Sequence, residues 1–250
     1  MANKKKRRRP PTAPANRPAP AAPQGRGDKK AAKRERQERA RKAQARRGAY
    51  RRALVGGMVG LIAFAAISYF NRPPAPTEFR SHTDALNASI HAGCGDVTTP
   101  VADPERTHLE PGASYDYTQH PATSGPHDPT PLPDEPRVYA DVSSYRETQA
   151  VHSLEHGSII MYYRPSDEPR GLPAYVVDAL KPVAENNRAT YLIPYPQLPD
   201  GTALVYTAWN KLLECPDGIT ANDAVTIANG FIQSYACTSN APEGKNGPGC

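Results

Sequence analysis

Residues 151–165 read VHSLEHGSIIMYYRP, and the fold turns on this stretch. Across one glycine the pattern changes from helical to extended. His152 and His156 are i and i+4, so on a helix their rings share one face, and Glu155, i+3 from His152, reaches the same side. Gly157 is placed as the C′ residue that ends such a helix. Ser158–Tyr163, SIIMYY, is rich in β-branched and aromatic residues and reads as a strand.

Downstream, Leu172, Val176 and Leu180 fall at helical spacing within Leu172–Asn187, with Pro182 expected to end or kink that helix. Ala189–Ile193 and Ala203–Trp209 read as strands with the turn PYPQLPDG between them. Thr220 is an N-cap with Asp223 three residues on, and Ile227, Ala228, Phe231, Ile232 and Tyr235 line one helical face. The order is helix, strand, helix, strand, strand, helix. It implies an α+β fold with a small, mostly antiparallel sheet and packed helices. Upstream, Asp116–Arg137 holds six prolines (121, 126, 129, 131, 133 and 136) and little to bury. Such a segment reads as a rigid irregular loop of the kind that frames a binding site.

The N-terminal part is of another kind. The net charge of +6 over 250 residues is a sum of opposites. Residues 1–52 carry 20 Lys+Arg against 3 Asp+Glu, a local net of +17, and the remainder carries −11. From Ala2 to Gly27 there is no large apolar residue, so this stretch reads as a disordered tail, and Lys29–Arg47 as a basic helix without an apolar face. Residues 53–70, Ala53 to Phe70, are uncharged. As a helix these residues rise about 27 Å, close to the hydrocarbon thickness of a bilayer. The 52 preceding residues and the closing Ser68, Tyr69 and Phe70 argue for an uncleaved signal-anchor over a signal peptide.

The boundaries expected are a cytoplasmic tail (1–52), a transmembrane helix (53–70), a linker (71–89) and an extracytoplasmic domain (90–250). The Lys/Arg excess predicts a single-pass protein of the cell membrane with its N-terminus on the cytoplasmic side. Anionic lipid is the expected partner of the basic tail. Nucleic acid is disfavoured, because no aromatic residue before Tyr50 offers a stacking platform and the body is acidic. Gly56 and Gly60 form a GxxxG, a spacing that would let two helices pack closely as a homodimer and that also arises from composition alone.

All four cysteines, Cys94, Cys215, Cys237 and Cys250, lie beyond the apolar segment. An even count on the outer side reads as two disulfides. Of three connectivities, Cys94–Cys215 with Cys237–Cys250 is preferred, because the second closes a short loop on a tail too polar to dock alone. Without a CxxC, neither a thioredoxin-like site nor a cysteine zinc site is expected.

All seven histidines also lie in the outer body, four of them in two clusters: His120 and His127 in HPATSGPH, His152 and His156 in HSLEH. One helical turn bearing His-x3-His offers two imidazoles to a divalent ion. His120 or His127 is the candidate third ligand, and Glu155 a ligand, an orienting partner or a base. The chemistry suits Zn²⁺ or Cu²⁺. The competing reading is a metal-free hydrogen-bonded network. HSLEH also fits H-x-x-E-H, in which Glu155 is the base of a zinc hydrolase and a further Glu ligand (Glu185, Glu214 or Glu243) comes from downstream. Against an enzyme, there is no nucleophile elbow around Ser124 or Ser153, no Walker loop and no GxGxxG.

HPATSGPHDPTP, VHSLEHGSIIMYYRP and ALVYTAWNKLLECPDG resemble the bacterial family called domain of unknown function 3105. The family pattern runs PPTSGPH, VHxLEHG with a hydrophobic strand, then TAWG before the last helix. The resemblance covers about residues 90–243 and implies an extracytoplasmic domain behind a single anchor, with no assigned activity. It carries over His127, His152, Glu155 and His156. Two positions depart: Ala122 stands where the pattern has proline, and Asn210 where it has glycine.

Overall fold

A computed structural model describes residues 26–100, 106–247 and 249–250. The expected disordered tail, from Ala2 to Gly27, falls almost wholly outside them. The chain divides into two compact units, Met1–Ile67 and Ser68–Cys250. Helix α1 runs unbroken from Arg26 to Phe70, through both the basic and the apolar segments. An i,i+4 ion pair of Glu35 with Arg39 supports its basic half. The helix is long and apolar enough to cross a membrane.

Among the described residues, unit 2 holds α2 (Thr83–Ala92), α3 (Glu147–Glu155), β1 (Ile159–Tyr163), α4 (Ala174–Asn186), β2 (Thr190–Pro194), β3 (Leu204–Ala208), β4 (Lys211–Cys215) and α5 (Ala221–Tyr235). The four strands form one mixed sheet in the order β2-β1-β3-β4. β1 and β2 pair in parallel, joined across α4. The other two pairings, β1 with β3 and β3 with β4, are antiparallel, so the sheet is mostly antiparallel. The fold is α+β, as the sequence implies.

β1 explains how the sheet is buried. Successive side chains point to opposite faces, and an uninterrupted apolar strand needs cover on both. Ile159 and Met161 join a core with α2, α4 and α5 residues such as Ala85, Leu180 and Phe231. Ile160 and Tyr162 join a second core with Ala150, Val151 and Leu154 of α3.

The proline-rich segment completes that second face. Residues 121–128 are all buried, and Ala122 and Leu132 belong to the core. The expectation that it has little to bury is therefore corrected. Its backbone groups find partners: Tyr117 donates to Pro126 O at 2.6 Å, Asn210 N to Thr123 O at 3.0 Å, and Leu132 N to Ser153 Oγ at 2.9 Å. Proline has no N–H to strand in a dry interior, which suits a buried irregular segment.

Three further differences from the sequence reading have physical causes. Pro182 lies inside α4, which continues to Asn186. Burial of Val176, Val177, Leu180, Val183 and Ala184 outweighs the roughly 3 kcal/mol an internal proline costs. β4, KLLEC, is a strand the pattern reading missed; its charged Lys211 and Glu214 hide the period, and pairing with β3 makes the strand. Residues 71–89, read as a linker, contain a 3-10 turn at Phe79–Ser81 and the start of α2, with Phe79, Ala85 and Ala88 in the core.

The two departures from the family pattern are accommodated locally. Asn210 sits at φ 54°, a left-handed conformation that asparagine tolerates. The Ala122 N–H, which proline would lack, donates to Glu147 Oε1 at 2.7 Å. The disulfides are Cys94–Cys215 and Cys237–Cys250, the preferred connectivity.

Candidate metal centre

Helix α3 carries the site. Its apolar side, Ala150, Val151 and Leu154, is fixed against the sheet, which leaves His152 and Glu155 together on another side. His156 is the C-cap, and Gly157 follows at φ 91°. The buried proline-rich segment brings His127 to them. His127 itself is pinned on both sides of its backbone: its N–H donates to Thr107 O at 3.0 Å, and Leu109 N–H donates to its carbonyl at 2.8 Å. That short parallel bridge sets His108 beside His127. The His108 ring stacks on His152 at 5.1 Å and meets His127 edge-on at 5.1 Å.

His108, His127, His152 and Glu155 each offer one ligand atom, and these atoms all lie within 4.8 Å of one another. A tetrahedral zinc site with Zn–N of about 2.0–2.1 Å has ligand–ligand edges of about 3.4 Å, so a modest contraction closes the group. His127, His152 and Glu155 are buried, while His108 is exposed at the rim.

Hydrogen bonds decide the tautomers. His127 Nδ1 lies 2.8 Å from Gly125 O, and His152 Nδ1 lies 2.6 Å from Asp128 O. A carbonyl only accepts, so both Nδ1 atoms carry a proton, and in the neutral rings both Nε2 atoms present a lone pair. Backbone carbonyls holding Nδ1–H in this way are the usual outer partners of metal-ligating histidines. Burial, with the neighbouring His127, His156 and His108, pushes the His152 pKa below its ordinary value and outweighs the Asp128 carbonyl, which pulls the other way. Burial thus favours the neutral ring.

Glu155 Oε2 lies 3.1 Å from His127 Nε2. With His127 protonated at Nδ1, both atoms are acceptors, and this Nε2 finds no hydrogen-bond partner among the described residues. Two acceptors at that distance repel each other, a strain that a proton on the ring or the carboxyl, or a cation, relieves. The other oxygen, Oε1, accepts from Arg106 at 3.2 Å. Next to His127, Asp128 anchors the loop. Burial opposes its charge, but the N–H groups of Gly112 and Thr130 and the Arg146 guanidinium hold its pKa low.

His156 stacks on His152 at 4.7 Å, with the two Nε2 atoms 2.8 Å apart. It lies outside the four-residue group but touches it. His120 does not reach the centre. Its Nδ1 lies 3.0 Å from Glu147 Oε2 and 3.1 Å from Tyr195 OH. Glu147 is in the first turn of α3, about 12 Å along the axis from Glu155, and captures His120 there. His108 is the member of the group that sequence reasoning missed. Of the distant glutamates, Glu243 approaches the cluster, with Oε2 3.5 Å from His156 Nδ1, and it does so from a loop.

The family model described as "Protein of unknown function (DUF3105)" matches residues 108–248, a span that contains the whole cluster. No curated protein and no solved structure matches the chain.

Proposed function

The chain belongs to the family of domain of unknown function 3105, and from that premise we propose a single-pass membrane-anchored envelope protein whose outer α+β domain binds one divalent cation. His108, His127, His152 and Glu155 are its ligands. The observation that carries this reading is the contact of His127 Nε2 with Glu155 Oε2 at 3.1 Å, two acceptors facing each other below the surface. Three imidazoles and one carboxylate suit Zn²⁺ or Cu²⁺. Exposed His108 is the entry side.

The apolar half of α1 is the anchor. The 20 Lys+Arg before it hold the N-terminus in the cytoplasm, against anionic lipid heads. A Cβ at Gly56 or Gly60 meets no described atom within 4 Å, which leaves that helix face open for a second copy.

The test uses the full chain in detergent. Calorimetry with Zn²⁺ and Cu²⁺, together with metal content after purification, is expected to give one site per chain. His127→Ala with His152→Ala abolishes it. A wild type without affinity better than about micromolar refutes the reading. That result favours the metal-free alternative, in which His127 holds a second proton and pairs with Glu155 as an ion pair that packs the loop on α3. Turnover of peptides or esters by the zinc-loaded chain, lost in Glu155→Gln, moves the assignment to a hydrolase with Glu155 as base.

A further inference from the structure

The last residues of the chain close over the end of α3. Helix C-termini leave carbonyls without intrahelical donors. Here Glu243 N–H donates to Glu155 O at 3.0 Å, and Cys237 N–H to Gly157 O at 3.0 Å. Between them, the Cys250 sulfur lies 3.6 Å from His156 O. Backbones touch: a Cβ on Gly157 would stand 2.9 Å from Gly244 Cα, and one on Gly247 would stand 2.4 Å from His156 Cβ. The segment is mostly polar, and the Cys237–Cys250 disulfide, 13 residues apart, closes it.

This loop carries Glu243, whose Oε2 lies 3.5 Å from His156 Nδ1. That Nδ1 is buried and has no hydrogen-bond partner among the described residues. A carboxylate accepts and does not donate, so at this position it favours the tautomer with the proton on Nδ1. The Nε2 lone pair of His156 then faces the Nε2 lone pair of His152, 2.8 Å away. Both can serve one cation after widening to an edge of about 3.4 Å.

We propose that the disulfide-closed C-terminal loop is a redox-sensitive clamp on the cation site, in which Glu243 positions His156 as a further ligand. The proposal rests on the cation reading above and names its regulation. Of the two disulfides this one is the more open: Cys250 is exposed, whereas Cys215 is 1% exposed. A dithiol reductant breaks its S–S bond and supplies two electrons and two protons. Cys237 and Cys250 become thiols, and the dithiol leaves as its own disulfide. The freed loop withdraws Glu243, and His156 returns to donating its Nε2–H to His152, which removes the lone pair the cation needs.

The experiment compares the full chain in detergent with Cys237→Ser plus Cys250→Ser and with Glu243→Gln. Zinc affinity is read by calorimetry, and the His156 tautomer by long-range ¹⁵N NMR. Zinc-loaded wild type is expected to show His156 protonated at Nδ1. Both variants are expected to raise Kd about 10- to 100-fold, the usual effect of removing an outer partner of a ligand, and Glu243→Asp restores part of it. Should the double serine variant fail to fold, Glu243→Gln, with its disulfide intact, decides. Zinc binding unchanged in the variants, or a zinc-loaded His156 protonated at Nε2, overturns this inference alone. Absence of zinc binding by the wild type overturns the cation reading and this inference with it.

Discussion

Glu155→Gln separates the cation reading from its metal-free rival by the sign of its effect on stability. The Glu155 side chain is 7% exposed and faces the His127 Nε2 lone pair at 3.1 Å. If His127 is neutral, a Gln amide placed there donates to that lone pair. An acceptor–acceptor contact becomes a buried hydrogen bond worth about 1 kcal/mol, and a buried charge disappears. The loss is the charge on the Arg106 contact, whose donor the Gln oxygen still accepts. The Arg106 side chain is 53% exposed, and such pairs are worth about 0–1 kcal/mol. In chelator the variant is therefore expected to equal or exceed the wild type, by up to about 1 kcal/mol, or about 2–4 °C in Tm for a unit of this size. With zinc at 100 times its Kd the order reverses. The wild type gains about 2.7 kcal/mol and about 5–10 °C, and the variant gains little. Thermal unfolding of both chains with chelator and with zinc measures all four values. A protonated His127 paired with Glu155 predicts otherwise. Removing one partner of a buried ion pair costs about 3–5 kcal/mol. A variant that melts well below the wild type in chelator refutes the reasoning.

Other consequences follow from the same geometry. Because the folded His152 pKa lies below its ordinary value of about 6.5, the unfolded chain binds more protons as pH falls. The His152 contribution to metal-free stability is fully present above about pH 6.5 and is lost as pH falls below it, so urea midpoints at pH 7.5, 6.5 and 5.5 should fall in that order, with a flatter trend in His152→Gln. Cation affinity falls in the same direction, since the ligand must be deprotonated. At the β3–β4 turn, Asn210→Gly should stay within about 0.5 kcal/mol of the wild type. Asn210→Val should cost about 1–2 kcal/mol in chemical denaturation, because φ is 54° there. For topology, protease added outside intact cells should digest unit 2 and spare an N-terminal tag; a digested tag refutes the orientation.

How far the fold could be read from residues depended on whether local pattern and final environment agreed. SIIMYY agrees with itself: a strand buried on both faces needs an unbroken apolar run. Thr220 and the face from Ile227 to Tyr235 agree as well, and the cap bond from Asp223 N–H to Thr220 Oγ1 forms at 3.2 Å. KLLEC does not agree, because its strand character comes from β3 across the hairpin. The proline-rich segment fails the other way. Its composition looks exposed, yet partners from Tyr117 to Ser153 satisfy its backbone and let it become core.

The candidate centre shows the same division more sharply. His152, Glu155 and His156 were legible because one helical turn brings them together, and local spacing is what a sequence displays. His127 was legible as a companion cluster but not as a position, since the choice between His127 and His120 is made in space. Glu147, eight residues before Glu155 on the same helix, takes His120, and the paired backbone at Thr107 and Leu109 takes His127. His108 had no local signal: a single histidine in an extended stretch, joined to His127 by one bridge. Yet that bridge supplies the exposed member of the group. His152 and Glu155 are set by helix periodicity, whereas His127 and His108 are both set by a long-range backbone contact. Breaking the 107–109 pairing should therefore release His108 and His127 together and weaken zinc binding in calorimetry, while His152 and Glu155 stay in place on α3.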